Sequence, residues 1–300
     1  MAFEEGTQAA WLYDLIQPHV TSVVVGDPRK ITSQGRKADK VDAKRLAELL
    51  RTNSLSPVYH GERSTRALKE LARSHVAMVG DSTRVKNRLK ALFRGRGIEC
   101  DGSAVYKAEK REEWLGKLDI AAVRARADRL LKELDCLAPL CEESEKGLVA
   151  EGRKHAATKI LRGVPGIGPV RAAVILGIAG TPHRFRTKRQ FWAYSGLGIV
   201  TKSSAEYAVV NGQVGRSKKR PLVLGLNRNY NRALKAVFKG AAKTAASTVW
   251  KLQFAAMIAD GMSEPLARLT LARKIASITL TLWKKGEAYN PKKLKFKHAA

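Results

Sequence analysis

Carboxylates are the first residues in this chain whose spacing favours a defined chemistry. Asp39 and Asp42 stand three positions apart at the start of a predicted helix, so both side chains lie on one side of it. Glu5 precedes the first predicted helix and therefore belongs to a separate element. Carboxylates that converge from separate elements are what Mg²⁺ needs to bridge phosphate oxygens. From spacing alone, ordinary stabilisation of the helix dipole is the more common role of two such aspartates, and the flanking cations and Glu5 are what favour a metal.

A pair of hydroxyls, Ser203 and Ser204, lies in a strongly basic part of the chain. A serine nucleophile must be exposed, close to a phosphate and assisted by a base or a metal. The sequence shows only that positive charge is near, and serine pairs are also common in turns. Ser204 is therefore a candidate nucleophile, with a simple turn as the alternative.

The segment from Pro165 to Gly168 follows the apolar-Pro-Gly-apolar-Gly pattern of a helix-hairpin-helix motif. Its glycines permit close backbone approach, and the N–H groups that open the next helix suit a phosphate. We interpret it as a grip on a nucleic-acid backbone without sequence readout; a turn used only for packing is the alternative. The candidate nucleic-acid-binding residues are Pro165, Gly166, Gly168, Arg171, Arg184, Arg186, Lys188, Arg189, Arg216, Lys218, Lys219 and Arg220.

The overall charge points to a polyanionic partner. The 300 residues carry a net charge of +29, and residues 211–240 hold eight Lys or Arg and no acid. DNA or RNA is the simplest partner, and a ribosomal-type basic protein is the alternative. Three cysteines without metal-ligand spacing or an even disulfide set favour a reduced, cytoplasmic protein. The sequence predicts no membrane span, because no apolar run is long enough, and no signal peptide.

Several elements must position these residues. A helix over 8–16, a short strand over 20–25 and a helix over 38–50 predict an α/β domain at the start. Farther along, a hairpin turns at Asn211-Gly212, and two helices follow over 233–260 and 265–286.

Two long helices are predicted between these regions. One covers 63–93, and the second begins near Arg111 or Asp119. The second has a coiled-coil seam with alternating spacings of four and three residues. Its members are Val123, Ala127, Leu130, Leu134, Leu137 and Cys141. An antiparallel or dimerising arm and a bundle packed within one domain are both open.

Four segments in this order resemble a known family. They are Glu5-Gly-Thr-Gln-Ala-Ala-Trp11, Lys37-Ala-Asp39-Lys-Val-Asp42-Ala43, the Pro-Gly-Ile-Gly turn, and Tyr194-Ser-Gly-Leu197 followed by Ser203-Ser204. Over nearly its whole length the chain resembles the bacterial insertion-sequence transposases of the IS one-ten type, whose best-known members are RNA-guided recombinases. The resemblance implies an RNase H-like (RuvC-like) domain whose acids, in the order Asp, Glu, Asp, Asp, bind Mg²⁺. It also implies a coiled-coil connector and a C-terminal transposase domain with a nucleophilic serine.

Carried over to this sequence, the resemblance assigns Glu5, Asp39 and Asp42 as catalytic and metal-binding acids and Ser204 as the nucleophile. Ala205 stands where the family has a glycine, so Ser203 stays open. The family's first aspartate lies well upstream of its glutamate, whereas here only four residues precede Glu5. We therefore expect an N-terminally truncated copy with a partial RNase H-like domain (1–62), a helical connector (63–158) and the transposase domain (159–300).

The preferred hypothesis is a DNA transposase or recombinase that cuts and rejoins strands at an insertion element. DNA is the expected partner, the resemblance adds a guide RNA, and joining two DNA ends predicts a homo-oligomer. A catalytically inactive remnant that only binds nucleic acid is one alternative, motivated by the missing aspartate. A helix-hairpin-helix protein of repair or junction binding is another.

Overall fold

The computed structural model describes residues 1–28, 30–31, 39–60, 65–202, 207–210, 213–216 and 222–293; for 207–210 and 213–216 it describes the backbone alone. The protein is mostly helical, with small two-stranded sheets. It divides into two compact units, residues 1–63 and 64–300.

The first unit is a small α/β arrangement. Strands β1 (Ala2–Glu4) and β2 (Val24–Gly26) pair in parallel, and helix α1 (Ala9–Ile16) lies on the connection between them. Residues 56–58 run antiparallel along the other edge of β2, where the Val58 N–H donates to the Val25 carbonyl at 2.7 Å. The strand expected over 20–25 is confirmed only at its end, at Val24 and Val25. It is short because its partner β1 has only three residues to pair with.

Helix α2 (Asp39–Arg51) covers one face of this small sheet. A Cβ on Gly26 would meet the side chains of Ile31, Leu46 and Leu55, so the backbone of β2 needs a glycine there for close packing. The helix expected over 38–50 is confirmed. Leu46 lies against Gly26 of the sheet, whereas Ala43, Ala47 and Leu50 are exposed, and the two aspartates of the helix lie in its first turn.

The second unit begins with two long helices that pack along each other. Helix α3 (Arg66–Arg94) and helix α5 (Ala121–Arg153) run antiparallel, with the short helix α4 (Arg111–Gly116) between them in sequence. Ala127, Leu130 and Leu134 of the predicted seam are buried against α3. The seam therefore has an intramolecular partner, in agreement with packing inside one unit.

Most remaining helices surround a second core. They are α6 (Ala157–Arg162), α7 (Pro169–Ala179), α8 (Lys188–Tyr194), α9 (Arg232–Ser247), α10 (Lys251–Ala259) and α11 (Glu264–Lys285). Helix α7 is central: Ala172 to Leu176 are all buried, and the base of α3 packs on it. A Cβ on Gly177 would lie 2.7 Å from the Leu68 carbonyl oxygen, so the two backbones touch. None of the described helices is long and apolar enough to cross a membrane.

One helix boundary was wrong in the sequence-based prediction. The helix expected over 233–260 is interrupted between α9 and α10, where Thr248 leaves the helical region at φ −125° and ψ −104°. Trp250 is only 2% exposed. The chain breaks at two β-branched residues, Thr248 and Val249, and thereby turns the indole into the core.

Between α8 and α9 the chain forms four strands, which we call the ribbon. They are β3 (Ile199–Lys202), β4 (Tyr207–Val210), β5 (Gln213–Arg216) and β6 (Leu222–Leu226). β3 pairs antiparallel with β6, and β4 pairs antiparallel with β5, so one hairpin is nested within another. The predicted hairpin around Asn211-Gly212 is confirmed by its flanking strands; β3 and β6 were not predicted.

Candidate nucleic-acid interface

Residues 163–168, which we call the hairpin, join α6 to α7. Val164 and Ile167 are buried, while Gly168 is exposed at the N-terminus of α7. Gly166 has φ +76°, and a Cβ at this position would collide with the carbonyl oxygen of Ala241 in α9. The buried apolar residues anchor the turn, and Gly168 leaves the first N–H groups of α7 open to solvent.

Arg171 fastens the hairpin to α9. Its Nη1 donates to the Gly166 carbonyl at 2.6 Å and to Thr244 Oγ1 at 3.1 Å. The guanidinium packs on Gly240, where a Cβ would lie 2.9 Å from Nη2. Burial lowers the pKa of Arg171, and the group stays charged because an arginine pKa starts so high. Its role as a phosphate contact stays a prediction; its contacts within the protein are structural.

An open groove of about 450 Å³ runs along this junction. The main chain of the hairpin forms one wall, and Thr244 and Val249 belong to the other side. Arg162, Arg171 and Tyr289 also line it. The groove therefore combines backbone N–H groups with two guanidinium groups, which is the donor set that a phosphate chain requires.

Helix α9 presents a row of cations beside the hairpin. Arg232, Lys235, Lys239 and Lys243 follow one another at three- or four-residue steps, so they share one face; we call them the α9 stripe. Lys235 stacks over the ring of Tyr230 at 4.2 Å from its centroid. Among the described residues, none of the four forms an ion pair. The basic stretch identified over 211–240 stops before Lys243, although helical spacing from Lys239 would have included that residue.

The charge of this region is almost one-sided. Glu206 is the only acid between Glu151 and Asp260, and the same stretch holds twenty Lys and Arg residues. A surface with this density of uncompensated cations repels itself and is stabilised by bound phosphates.

The basic segment over 181–189 is partly occupied by contacts inside the protein. Arg184 donates to the Ala179 carbonyl at 3.2 Å and lies over the Tyr194 ring at 4.6 Å. The side chains of Arg186, Lys188 and Arg189 are exposed around the start of α8, which Thr187 caps. These three cations of the segment are exposed to solvent and are therefore accessible to a ligand.

The predicted serine nucleophile and several predicted cations fall, in sequence, between the strands of the ribbon. Ser203, Ser204, Lys218, Lys219 and Arg220 lie outside the described residues. Arg216 ends β5 and pairs with Tyr207. Lys202 pairs with Leu222 at the end of β3.

The predicted metal acids all lie in the first unit. Asp39 is exposed and Asp42 is half-buried in the first turn of α2. Glu5 follows β1, and its Oε2 lies 2.7 Å from Nε2 of His60. The His60 ring stacks on Tyr13 with centroids 5.0 Å apart. Glu5 therefore has a partner within the protein.

Glu4 is an acid that the sequence-based site left out. It pairs with Gly26 in the parallel register, and paired residues of adjacent strands face the same side of a sheet. That side of Gly26 is the one covered by Leu46 of α2. Because successive side chains of a strand point to opposite faces, the sequence of β1 could have indicated that Glu4 and Phe3 face opposite sides of the sheet.

These acids do not fit a metal site as the structure stands. Among the described residues, no group of three or more His, Cys, Asp or Glu side chains is arranged to hold a metal ion. Glu5, Asp39 and Asp42 are all among the residues described. Binding of Mg²⁺ by these three residues therefore stays a prediction, and no chemical step below depends on it.

Two transposase family models match this chain. One, for DEDD-type IS110 transposases, covers residues 3–96, and the other, for the IS116/IS110/IS902 transposase family, covers residues 158–257. The chain belongs to the IS110 transposase family. A curated relative from Pseudomonas aeruginosa, named "Probable family 20 transposase", is 25% identical over 197 residues. That similarity covers 64% of this chain and 58% of the relative, so the chain spans little more than half of the relative's length.

Each part of this IS110-family chain contains a different set of candidate residues. The first match includes the acids Glu5, Asp39 and Asp42. The second includes the hairpin, the α9 stripe and the whole ribbon with Ser203 and Ser204. Helix α3 lies within the first matched segment, and helix α5 lies between the two.

Proposed function

We propose that this chain acts as a transposase that binds DNA and cuts and rejoins its strands at an insertion element. The observation that carries the proposal is the content of residues 158–257. This family-matched segment unites the phosphate-binding hairpin, the α9 stripe and the candidate serine within a region that has a single acid. Family membership identifies the class, and this combination of features supports the proposed DNA-contacting surface.

The hairpin and the α9 stripe hold the DNA backbone. Exposed N–H groups at the start of α7 bind one phosphate, and the α9 cations neutralise neighbouring ones. Consecutive members of the stripe are about 6 Å apart along the helix, because four residues rise by about 6 Å. Such contacts fix position without reading bases, which suits a protein that must hold DNA while strands are exchanged.

Ser204 is the proposed nucleophile. Lys218, Lys219 and Arg220 follow the serine pair in the sequence, and they are the cations that we propose to neutralise the attacked phosphate. In the reaction, Ser204 Oγ attacks a backbone phosphorus and loses its proton. One P–O bond of the strand breaks, and the leaving oxygen takes up a proton. A hydroxyl of the second strand then attacks the phosphoserine and releases the serine.

Partners follow from this reaction. Two DNA ends are joined, so two serines are needed and we expect a homo-oligomer. Family members guided by RNA also suggest an RNA partner, and the uncompensated cations suit either nucleic acid. RNA that copurifies with the chain and survives high salt would support the RNA partner.

The proposal is tested by recombination in cells. A plasmid carries the insertion element that encodes this chain, and excision or insertion is counted by sequencing across the junctions. Ser204→Ala is expected to lower the junction count to background, with Ser203→Ala as the matched control. Junctions formed at the wild-type rate by both single variants would contradict the serine mechanism.

A second candidate function is nucleic-acid binding without catalysis. The observation that favours it is that the described residues contain no group of acids arranged for a metal ion. In that case the wild-type chain would bind DNA through the same hairpin and α9 stripe but produce no junctions. Junctions that require added divalent metal would exclude it.

A further inference from the structure

The ribbon exposes apolar side chains that the core does not use. Leu222, Val223 and Leu224 of β6 are 64%, 58% and 57% exposed, and Ile199 of β3 is 54% exposed. None of them belongs to either hydrophobic core. An isolated two-stranded hairpin is marginally stable in water, so a ribbon of this composition needs a covering partner.

Charge decides which partner fits. From Ile199 to Asn229 the sequence has one acid, Glu206, against Lys202, Arg228 and the basic run around 216–220. A protein surface that covered these apolar residues would also face this uncompensated positive charge. Duplex DNA satisfies both demands where its sequence contains thymine, because each thymine presents an apolar C5-methyl group in the major groove and the rims of the groove carry phosphates.

Size agrees with this partner. Two antiparallel strands lie about 4.8 Å apart. A major groove about 12 Å wide admits a two-stranded ribbon together with its side chains. The irregularity in pairing between Val200 and Thr201 increases the local twist, as a bulge does, and a twisted ribbon follows a groove better than a flat one.

We propose that the ribbon inserts into the major groove of duplex DNA, with the apolar residues of β3 and β6 against thymine methyl groups and with Lys202 and Arg228 on the phosphates. This inference rests on the proposed function, since it assumes the DNA partner. It adds a second contact besides the hairpin and the α9 stripe, and one that is able to prefer thymine through its methyl group.

The test uses the full chain and a duplex of about three helical turns. The ribbon variant carries Leu222→Thr with Leu224→Thr, which keep strand propensity and remove apolar area. The control variant carries Leu252→Gln with Leu266→Gln, two exposed leucines of α10 and α11. Binding is measured by fluorescence anisotropy at several salt concentrations, and the oligomeric state of the free protein by light scattering.

The ribbon variant is expected to bind duplex DNA about ten-fold more weakly than the wild type, because apolar contact area is lost. A plot of log K against log salt should have the same slope for both proteins, because the substitutions remove no charge. The control variant is expected to bind as the wild type does. Replacing thymine by deoxyuridine should weaken binding of the wild type and leave the ribbon variant unaffected.

Equal affinity of the ribbon variant and the wild type would overturn the inference and leave the proposed function intact. The inference would also be overturned if the ribbon variant changed its oligomeric state but bound DNA as well per protomer as the wild type does. That result would mean that the ribbon makes contacts between copies of the chain. A wild-type chain that does not bind duplex DNA at any salt concentration would reject the DNA-binding surface of the proposed function as well.

Discussion

His75 shows what burial does to a single titratable residue in this protein. It is 7% exposed between α3 and α5, and its Nδ1 lies 3.1 Å from Ser144 Oγ. Ser144 gives its own proton to the Cys141 carbonyl, so Nδ1 of His75 must be the donor in their bond. Burial lowers the pKa of His75, and the charge of Glu145 raises it by a smaller amount. The folded state therefore favours the neutral ring.

This predicts a stability that depends on pH. In the unfolded chain His75 takes up a proton near its ordinary pKa of about 6.5, whereas the folded chain does so only at lower pH. The free energy of unfolding should thus be fully retained above about pH 6.5 and fall below it, by up to about 1.4 kcal/mol for each pH unit between the two pKa values.

Urea unfolding followed by circular dichroism at pH 7 and pH 5 measures this effect, with His75→Gln as the matched variant. The difference in unfolding free energy between wild type and variant should shrink on acidification. A difference that stays constant or grows would contradict the assignment of His75 as a neutral, buried donor.

Residue types predicted the candidate site in part. The hairpin glycines and the basic residues were identifiable from spacing, because a turn and a charge run are local properties of the sequence. The bond between Glu5 and His60 joins residues 55 positions apart, and no local pattern predicts it. For the same reason the sequence did not indicate that Arg171 is held by Thr244.

At the scale of elements, periodicity predicted most helices, and tertiary contacts decided where they end. The helices α1, α2 and α3 begin and end within a few residues of expectation, since their apolar faces repeat regularly. The break between α9 and α10 was missed, because burial of Trp250 outweighs helical propensity there. β3 and β6 were missed because they pair across 19 intervening residues, and exposed apolar strands have no alternating pattern.

The packing of the hairpin against α9 predicts a strong difference between two neighbouring glycines. Gly166→Ala places a Cβ against the Ala241 carbonyl oxygen at a positive φ, so it should lower the free energy of unfolding by about 2 kcal/mol or more. Gly168→Ala is the control, since nothing lies within 4 Å of its Cβ position. Thermal or urea unfolding of both variants checks this, and equal stabilities would refute the docking of the hairpin on α9.

At the scale of the whole molecule, charge dominates behaviour. The net charge of +29 is distributed unevenly, since residues 152–259 contribute most of it while α5 and α3 carry several internal ion pairs. The composition alone predicted a polyanionic partner. It did not predict which surface binds that partner, because that depends on which cations are paired with acids in the fold.

This uneven charge predicts the salt dependence of DNA binding. Changing Lys235, Lys239 and Lys243 together to Gln should lower the slope of log K against log salt by up to about 0.9 for each phosphate that the variant no longer neutralises. The control changes Lys117, Lys132 and Lys146 to Gln; it removes the same charge from lysines that face nearby acids on their helices. Anisotropy titrations between about 50 and 200 mM salt distinguish the two. An equal decrease of slope in both triple variants would mean that only net charge matters.

The central claim is that Ser204 forms a covalent bond with DNA, and mass spectrometry of trapped adducts tests it most directly. The chain is incubated with DNA that carries the ends of its element and a nick that prevents rejoining, and the digested adduct is sequenced. A nucleotide attached to the peptide at Ser204 is expected, absent from Ser204→Ala and present in Ser203→Ala. An adduct on another residue, or one that persists in Ser204→Ala, would contradict it.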